Sequence, residues 1–174
     1  MSNSSSTRAE ALFRQAAGRG RSSLDADETK ALLDSLGLAF DVAVPAGTVE
    51  VRISLNSTRE FGMVISAGLG GLEADLDERN FRRDRASVYA AAALTDAEDF
   101  LRLFQRTLAW QKLAAVAPRE GTSPEGALKD CFARLLALAK DFAPGNPDAP
   151  FVLQSIEMNQ IGRASCRERV YARV

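Results

Sequence analysis

The sequence predicts an α+β fold in which a small, mainly antiparallel sheet packs against helices. Three observations support this fold class. Residues 48–55 alternate between polar and apolar side chains, an apolar run from Phe61 ends in glycines, and apolar residues recur at helical spacing in four other segments. We therefore expect two neighbouring strands, a further strand late in the chain, and helices on one side of the sheet.

Two helices are predicted before the first strand. The first begins at the capping-box pair Thr7 and Glu10, and the second at the pair Asp25 and Glu28. An apolar stripe follows each pair, and a glycine ends each stripe. This part of the chain is therefore predicted to be helical.

The two neighbouring strands are predicted to form a hairpin. Residues 48–55 read as a half-buried strand, and residues 56–60 as a longer connecting loop. The run from Phe61 then reads as a strand covered on both faces. The glycines that follow have two interpretations, a tight turn leaving a core strand or a loop whose backbone approaches a ligand. These glycines are Gly68, Gly70 and Gly71.

Charged residues and two longer helices come next. Residues 73–85 are crowded with charge and predict a solvated edge. Thr95 and Glu98 predict a capping box that opens one long helix ending before Pro118. Ser123-Pro124 is typical of the start of another helix, which continues to Phe142.

The last predicted strand covers Phe151 to Asn159. Alternation places Ile156 and Met158 on one face, and Glu157 and Asn159 on the other. The last two residues would lie roughly 6.6–6.8 Å apart along the strand, so both can point at one ion. The same pattern also fits two polar residues on a solvated strand face.

Composition excludes several chemistries. Histidine is absent, which removes Ser-His-Asp and Cys-His catalysis and histidine metal ligation from this polypeptide. Cys131 and Cys166 form no metal-binding spacing, and Cys131 falls on an apolar helix face as structural filler. No apolar run approaches the roughly 18 residues that a membrane span needs, and the N-terminus is polar. We expect a cytoplasmic protein without a membrane partner.

The C-terminal segment from Ile161 to Val174 is interpreted as not native. Its residues 161–170 match, codon for codon, a translation of a common sequencing-library adapter, so the native reading frame is expected to be truncated. The segment carries four arginines and one glutamate, so the rest of the chain is more acidic than the total net charge of −1, and no nucleic-acid partner is expected. The predicted divisions are a helical segment (1–45), an α+β domain (46–160) and this tail (161–174).

Two motifs resemble the ATP-grasp part of the ADP-forming acyl-CoA synthetases, the acetate–CoA ligase family, in a β-subunit-like form. They are Phe61-Gly62 with the following Gly68-Leu69-Gly70-Gly71, and Glu157-Met158-Asn159. The resemblance covers roughly Val49 to Asn159. Met63 stands where the family has a proline, Asp75 stands where it has a glutamate, and Arg82 matches its arginine.

The resemblance implies an ATP-grasp-like half-domain that binds ATP or ADP with Mg²⁺. The family activates a carboxylate through an acyl phosphate and forms a thioester with CoA, which implies a CoA-binding domain or subunit as partner. The metal role requires the last strand to lie beside the strand from Phe61, so that Asn159 opens into the cleft of the glycine turn. The implied nucleotide-binding residues are Gly68, Gly70, Gly71, Asp75 and Arg82, and the implied metal ligands are Glu157 and Asn159.

One departure from the family bears on activity. Between the positions of Leu38 and Val49, the family inserts a long segment whose lysines clamp ATP. The four lysines of this chain all fall on predicted helices; they are Lys30, Lys112, Lys129 and Lys140. We therefore expect the isolated chain to be inactive as a ligase. The alternative is a non-catalytic accessory or interaction module derived from the same fold.

Overall fold

Helices and four antiparallel strands make up the described part of the chain, which confirms the predicted α+β class. The computed structural model describes residues 3–38, 49–71, 83–116, 124–149 and 151–161. The elements are α1 (Asn3–Gly18), α2 (Ala26–Leu36), β1 (Glu50–Thr58), β2 (Gly62–Leu69), α3 (Arg83–Ala86), β3 (Ser87–Ala91), α4 (Ala97–Phe104), α5 (Leu108–Val116), α6 (Pro124–Asp141) and β4 (Ser155–Ile161).

The hairpin of β1 and β2 is confirmed, with Ser54 opposite Ser66 in its register. Its loop has three residues, 59–61, and is shorter than predicted because β1 continues to Thr58, while β2 begins at Gly62, one residue later than predicted. The Thr58 hydroxyl donates to the Gly62 carbonyl at 2.9 Å and accepts from the Phe61 amide at 3.1 Å. Gly62 has a φ of 65°, a conformation that glycine adopts without strain.

The sheet order is β3-β2-β1-β4, and every neighbouring pair is antiparallel. The last strand begins at Ser155, four residues later than predicted, and continues through Ile161, whose backbone pairs with Glu50. It lies beside β1 and not beside β2. The placement that the metal role requires, with the last strand directly beside the strand from Phe61, is therefore not observed, because β1 lies between them.

The hydrophobic core lies between one face of the sheet and the helices. Burial alternates along β2, so this strand is not covered equally on both faces as predicted. Phe132 of α6 meets Phe100 and Phe104 of α4 edge to face, with ring centroids 4.8 and 5.8 Å apart. Such ring pairs add about 0.5–1.5 kcal/mol each beyond area burial. The core residues contributed by the strands are Val51, Ile53, Leu55, Met63, Ile65, Ala67, Leu69, Ile156 and Met158.

The N-terminal helices belong to the same core. The Phe13 ring packs edge to face on Phe142, with centroids 5.2 Å apart, and contacts Phe151 at 6.2 Å. Arg134 of α6 donates to the Leu36 carbonyl at the end of α2, at 2.7 Å. The predicted division at residue 45 stays a prediction, but these contacts join both sides of it.

Helix ends agree with the sequence patterns at the end of α1, at both ends of α2 and at the start of α6, and they differ at two other helix starts. The Asp25–Glu28 capping box is formed, and Gly37 ends α2 in the left-handed conformation. In contrast, α1 starts at Asn3, so Thr7 lies within the helix instead of capping it. The N-cap of α4 is Asp96, whose carboxylate accepts from the Asp99 amide at 2.8 Å, and not Thr95.

The predicted long helix after Thr95 is in fact two helices, α4 and α5. Thr107 lies between them, fully buried, and its hydroxyl donates to the Phe104 carbonyl at 2.7 Å while accepting from the Trp110 amide at 3.2 Å. Apolar spacing continues through this break, so periodicity alone could not reveal it. Strand β3 was not predicted either, because the sequence SVYAA lacks a clear alternation of apolar and polar residues.

Several sequence expectations concern single residues or the surface. All four lysines lie on helices, and Cys131 is buried, which raises the pKa of its thiol. Within the described ranges, no helix is long and apolar enough to cross a membrane. The tail from residue 162 onwards lies outside the described residues.

Candidate functional site

Polar residues occupy the strand positions that alternate with the core residues, and we call this set the polar face. The register sets two rows across the four strands: Asn159, Arg52, Gly68 and Ser87 form one, and Glu157, Ser54, Ser66 and Tyr89 form the next. Facing residues in a sheet share one side of it, so a ligand on this face would meet all four strands.

An ion pair between Arg52 and Glu157 crosses the polar face. The Arg52 Nε lies 3.4 Å from the Glu157 Oε1, and about two fifths of each side chain is exposed. The two residues are diagonal neighbours in the β1–β4 register, a separation that long side chains span. The Arg52 Nε itself is buried and makes no hydrogen bond in the described structure, so the contact is electrostatic without being a well-aligned hydrogen bond.

Beside this pair, hydrogen bonds join Asn56, Ser54 and Ser66. The Asn56 amide donates to the Ser54 Oγ at 2.8 Å, and the Ser54 and Ser66 hydroxyls share a hydrogen bond of 2.7 Å. Ser54 is buried although it is polar. This chain of bonds links β1 to β2 at the centre of the sheet, and in the register Glu157 lies opposite Ser54.

The glycines after the core strand are closely approached by the protein's own chain. A Cβ at Gly68 would lie under 3.0 Å from the Ser87 Oγ and the Ala86 carbonyl oxygen, so β3 excludes a side chain there. A Cβ at Gly70 would lie 2.8 Å from the Glu50 side chain, and Gly71 has a φ of 59°. Packing against β1 and β3 therefore explains the cluster, in agreement with the turn interpretation.

A small cavity of about 60 Å³ opens on the polar face, lined by Arg52, Gly68, Ser87 and Tyr89 among others. A larger groove of about 740 Å³ lies at the opposite end of β2, between Met63 and the second half of α6. Among the described residues, no predicted site residue lines the larger groove. Of these two cavities, only the small one adjoins the predicted site.

The structure brings some of the predicted site residues together. Asn159 and Gly68 are both backbone partners of Arg52, so they are two strand spacings apart, roughly 9–10 Å. Asp75 and Arg82 lie outside the described residues. The sequence pattern did not single out Arg52, although this residue alternates with the apolar residues of its strand. Its place beside Glu157 depends on the pairing of β4 with β1, which the sequence alone does not reveal.

The donor set of the polar face suits a hard divalent cation. Its groups are oxygen donors, the Glu157 carboxylate foremost, and no cluster of three or more acidic, cysteine or histidine residues occurs within the described ranges. Mg²⁺ commonly binds through one or two protein carboxylates together with waters and substrate phosphates. The residues present therefore fit a magnesium ion that is also held by phosphate oxygens.

Comparisons with known proteins find the fold but no relative by sequence. No family model and no curated protein matches the chain. Among solved structures, an acetyl-coenzyme A synthetase 1 of Ca. Korarchaeum cryptofilum in complex with coenzyme A and Mg-AMPPCP matches with a TM-score of 0.65 at 16% identity, over 95% of this chain and 99% of that one. PH1788 from Pyrococcus horikoshii Ot3 matches with a TM-score of 0.63 at 12% identity, over 97% of each chain.

At these identities the likeness shows a shared fold. The same Korarchaeum protein in complex with coenzyme A alone, named ACD1, matches with a TM-score of 0.61 at 15% identity, over 89% of this chain and 100% of that one. The chain therefore has the fold of acetyl-coenzyme A synthetase chains that have been solved with nucleotide analogue and with coenzyme A.

Proposed function

We propose that the chain is an ATP-grasp-like fragment related to the nucleotide-dependent acyl-CoA ligases, and that its polar face binds a magnesium–nucleotide complex. Glu157 and Asn159 would hold the metal, and the turn at Gly68 to Gly71 would border the phosphates. When bound, the metal would neutralise charge on the phosphate oxygens. As an isolated chain, the protein is proposed to be inactive as a ligase.

The observation that carries this proposal is the shared row of the sheet. Asn159 and Gly68 belong to the two motifs that resemble the family, and the register makes both of them partners of Arg52. The two motifs are distant in sequence but roughly 9–10 Å apart across the sheet, which is within reach of one phosphate chain and its metal. The likeness to a chain solved with Mg-AMPPCP supports the same ligand class.

A specific observation favours the alternative, a non-catalytic accessory module. The polar face is largely satisfied by its own groups, because Arg52 pairs with Glu157 and the Ser54 and Ser66 hydroxyls pair with each other. A face that needs no ligand is compatible with a fold retained for interaction. Mg·ATP binding distinguishes the two functions.

Titration calorimetry with Mg·ATP tests the proposal. We expect heat of binding from the native chain and a clear loss of affinity in Asn159→Ala, with Gln154→Ala, an exposed residue just before β4, as the matched control. Equal responses from Asn159→Ala and the native chain would remove Asn159 from the site. No binding by either protein would favour the accessory module.

A second assay concerns the expected lack of turnover. Incubation of the purified chain with Mg·ATP, acetate and CoA should give no ADP and no acetyl-CoA, because no lysine of the described structure lies on the polar face to stabilise the transferring phosphoryl group. Formation of both products in parallel would contradict this expectation.

A further inference from the structure

We propose that the ion pair between Arg52 and Glu157 separates when a magnesium-bound oligophosphate binds, so that Arg52 binds the phosphate and Glu157 binds the metal. We call this change of partners the exchange. This inference rests on the proposed ligand class and adds the residue that recognises the anion. Neither of the two resemblance motifs contains Arg52, and its role follows only from the structure.

The position of Arg52 supports a role in anion binding. It lies inside its row, between Asn159 on β4 and Gly68 on β2, and it lines the small cavity. Its buried Nε has no hydrogen-bond acceptor in the described structure, although such donors are usually paired. A phosphate oxygen is an acceptor of the right charge, and the fork of the guanidinium group suits it.

The size of the cavity limits what can enter it. Its volume is about 60 Å³, several times the roughly 10–15 Å³ that a single water molecule needs in a cavity. The oxygens of a phosphate group can therefore enter it, whereas pockets that enclose a whole small molecule have about 300–1,000 Å³. The ligand part recognised by Arg52 is inferred to be one phosphate group of an oligophosphate.

The charges explain why metal and phosphate would bind together. Phosphate alone must compete with the Glu157 carboxylate for Arg52, and Mg²⁺ alone must compete with Arg52 for Glu157. The pair is half exposed, and such pairs contribute little to stability, so its separation is not costly. A magnesium–phosphate complex gives each residue a new partner at once, which makes the two ligands cooperative.

Titration with tripolyphosphate, which has no nucleoside, tests the exchange. For the native chain and for the control Arg59→Gln, we expect Mg²⁺ to increase tripolyphosphate affinity by about 5-fold or more beyond its effect on Glu157→Gln, in the usual range of such couplings. Arg52→Gln should lose most of the affinity, and Arg52→Lys should retain part of it. Arg59→Gln, in the hairpin loop away from the pair, is the matched control.

Glu157→Gln gives the sharpest outcome. Because it frees Arg52, this variant should bind tripolyphosphate more tightly than the native chain when Mg²⁺ is absent, and should lose the enhancement by Mg²⁺. The inference would be overturned if, without Mg²⁺, Glu157→Gln bound tripolyphosphate no more tightly than the native chain. Equal affinities of Arg52→Gln and Arg59→Gln would overturn it as well. So would a native chain that does not bind tripolyphosphate. Thermal unfolding of each variant shows that the comparison is between folded proteins.

The two proposals can fail separately. In one outcome, tripolyphosphate binding depends on Arg52 and Glu157, Mg·ATP binds no better than Mg-tripolyphosphate, and Asn159→Ala leaves Mg·ATP affinity unchanged. The nucleotide site then fails and the exchange holds. If Mg·ATP binding depends on Asn159 but not on Arg52, the exchange fails and the nucleotide site holds.

Discussion

Gly68 illustrates at the scale of a residue how neighbouring strands restrict side chains. Its backbone has no positive φ, so the reason for glycine is the close approach of Ser87 and the Ala86 carbonyl. Gly68→Ala should destabilise the fold by about 1–3 kcal/mol, the usual cost of overpacking. Gly126→Ala, in an exposed turn of α6 with open space around it, should instead stabilise by about 0.5–1 kcal/mol. Urea unfolding of both variants checks this contrast.

Should Gly68→Ala unfold at the same urea concentration as the native chain, β3 would not lie against Gly68 as described. The hypothesis that this glycine exists only for ligand approach would then regain support. Equal losses from Gly68→Ala and Gly126→Ala would point to a general effect of alanine and not to local packing.

Glu28 is a nearly buried carboxylate whose pKa is held below its usual value, first by a hydrogen bond from Arg21 and then by the capping-box amide of Asp25. Because the folded-state pKa lies below the unfolded one, this group stabilises the fold above the usual pKa near 4.5, and the contribution is lost as pH falls through the lower folded-state value. Unfolding free energy measured between pH 7 and pH 3 should therefore decline less steeply in Glu28→Gln.

Arg21→Gln is the matched variant. It keeps the Glu28 carboxylate but removes the hydrogen bond from Arg21, which is the largest cause of the lowered Glu28 pKa. Combining both substitutions should reduce the loss of unfolding free energy at acid pH somewhat further than Glu28→Gln alone, because the pKa of the Asp25 carboxyl is lowered by the Glu28 amide and also by its pairing with Arg21. If the unfolding free energy of both single variants declined between pH 7 and pH 3 as steeply as that of the native chain, Arg21 and Glu28 would not interact in solution.

At the scale of elements, Thr107 divides what the sequence predicts as one helix. Its hydroxyl caps α5 and bonds to the last turn of α4, so Thr107→Ala should cost about 0.5–2 kcal/mol. Thr107→Ser keeps the hydroxyl and should lose clearly less stability. Denaturant unfolding measures both. If alanine were the milder substitution, the break between the helices would not depend on this cap.

How much of an element can be predicted depends on whether its signal is local. The alternation in β1 and the Asp25–Glu28 box are local patterns, and both are observed. The pairing of β4 with β1 depends on contacts between distant segments, so no local pattern could predict it. For the same reason Arg52 was overlooked, because its importance comes from the strand that packs beside it.

For the whole molecule, the N-terminal helices and the sheet share one hydrophobic core. Phe13 is fully buried against Phe142 and Phe151, so Phe13→Ala should destabilise by about 3–5 kcal/mol within a single cooperative transition. Phe61→Ala removes a ring that is 68% exposed and should change stability by no more than about 0.5 kcal/mol. Two separate transitions for Phe13→Ala would support a domain division at residue 45.

The central claim, that the polar face binds a metal–nucleotide complex, is tested most directly by replacing Mg²⁺ with paramagnetic Mn²⁺. Amide NMR spectra recorded during titration with Mn·ADP report which backbone groups lie nearest to the metal. We predict that the signals of Glu157, Ser54 and Gly68 broaden first and those of Ala133 and Lys140 on α6 last. Broadening that begins on α6, or that reaches all residues equally, would contradict the account.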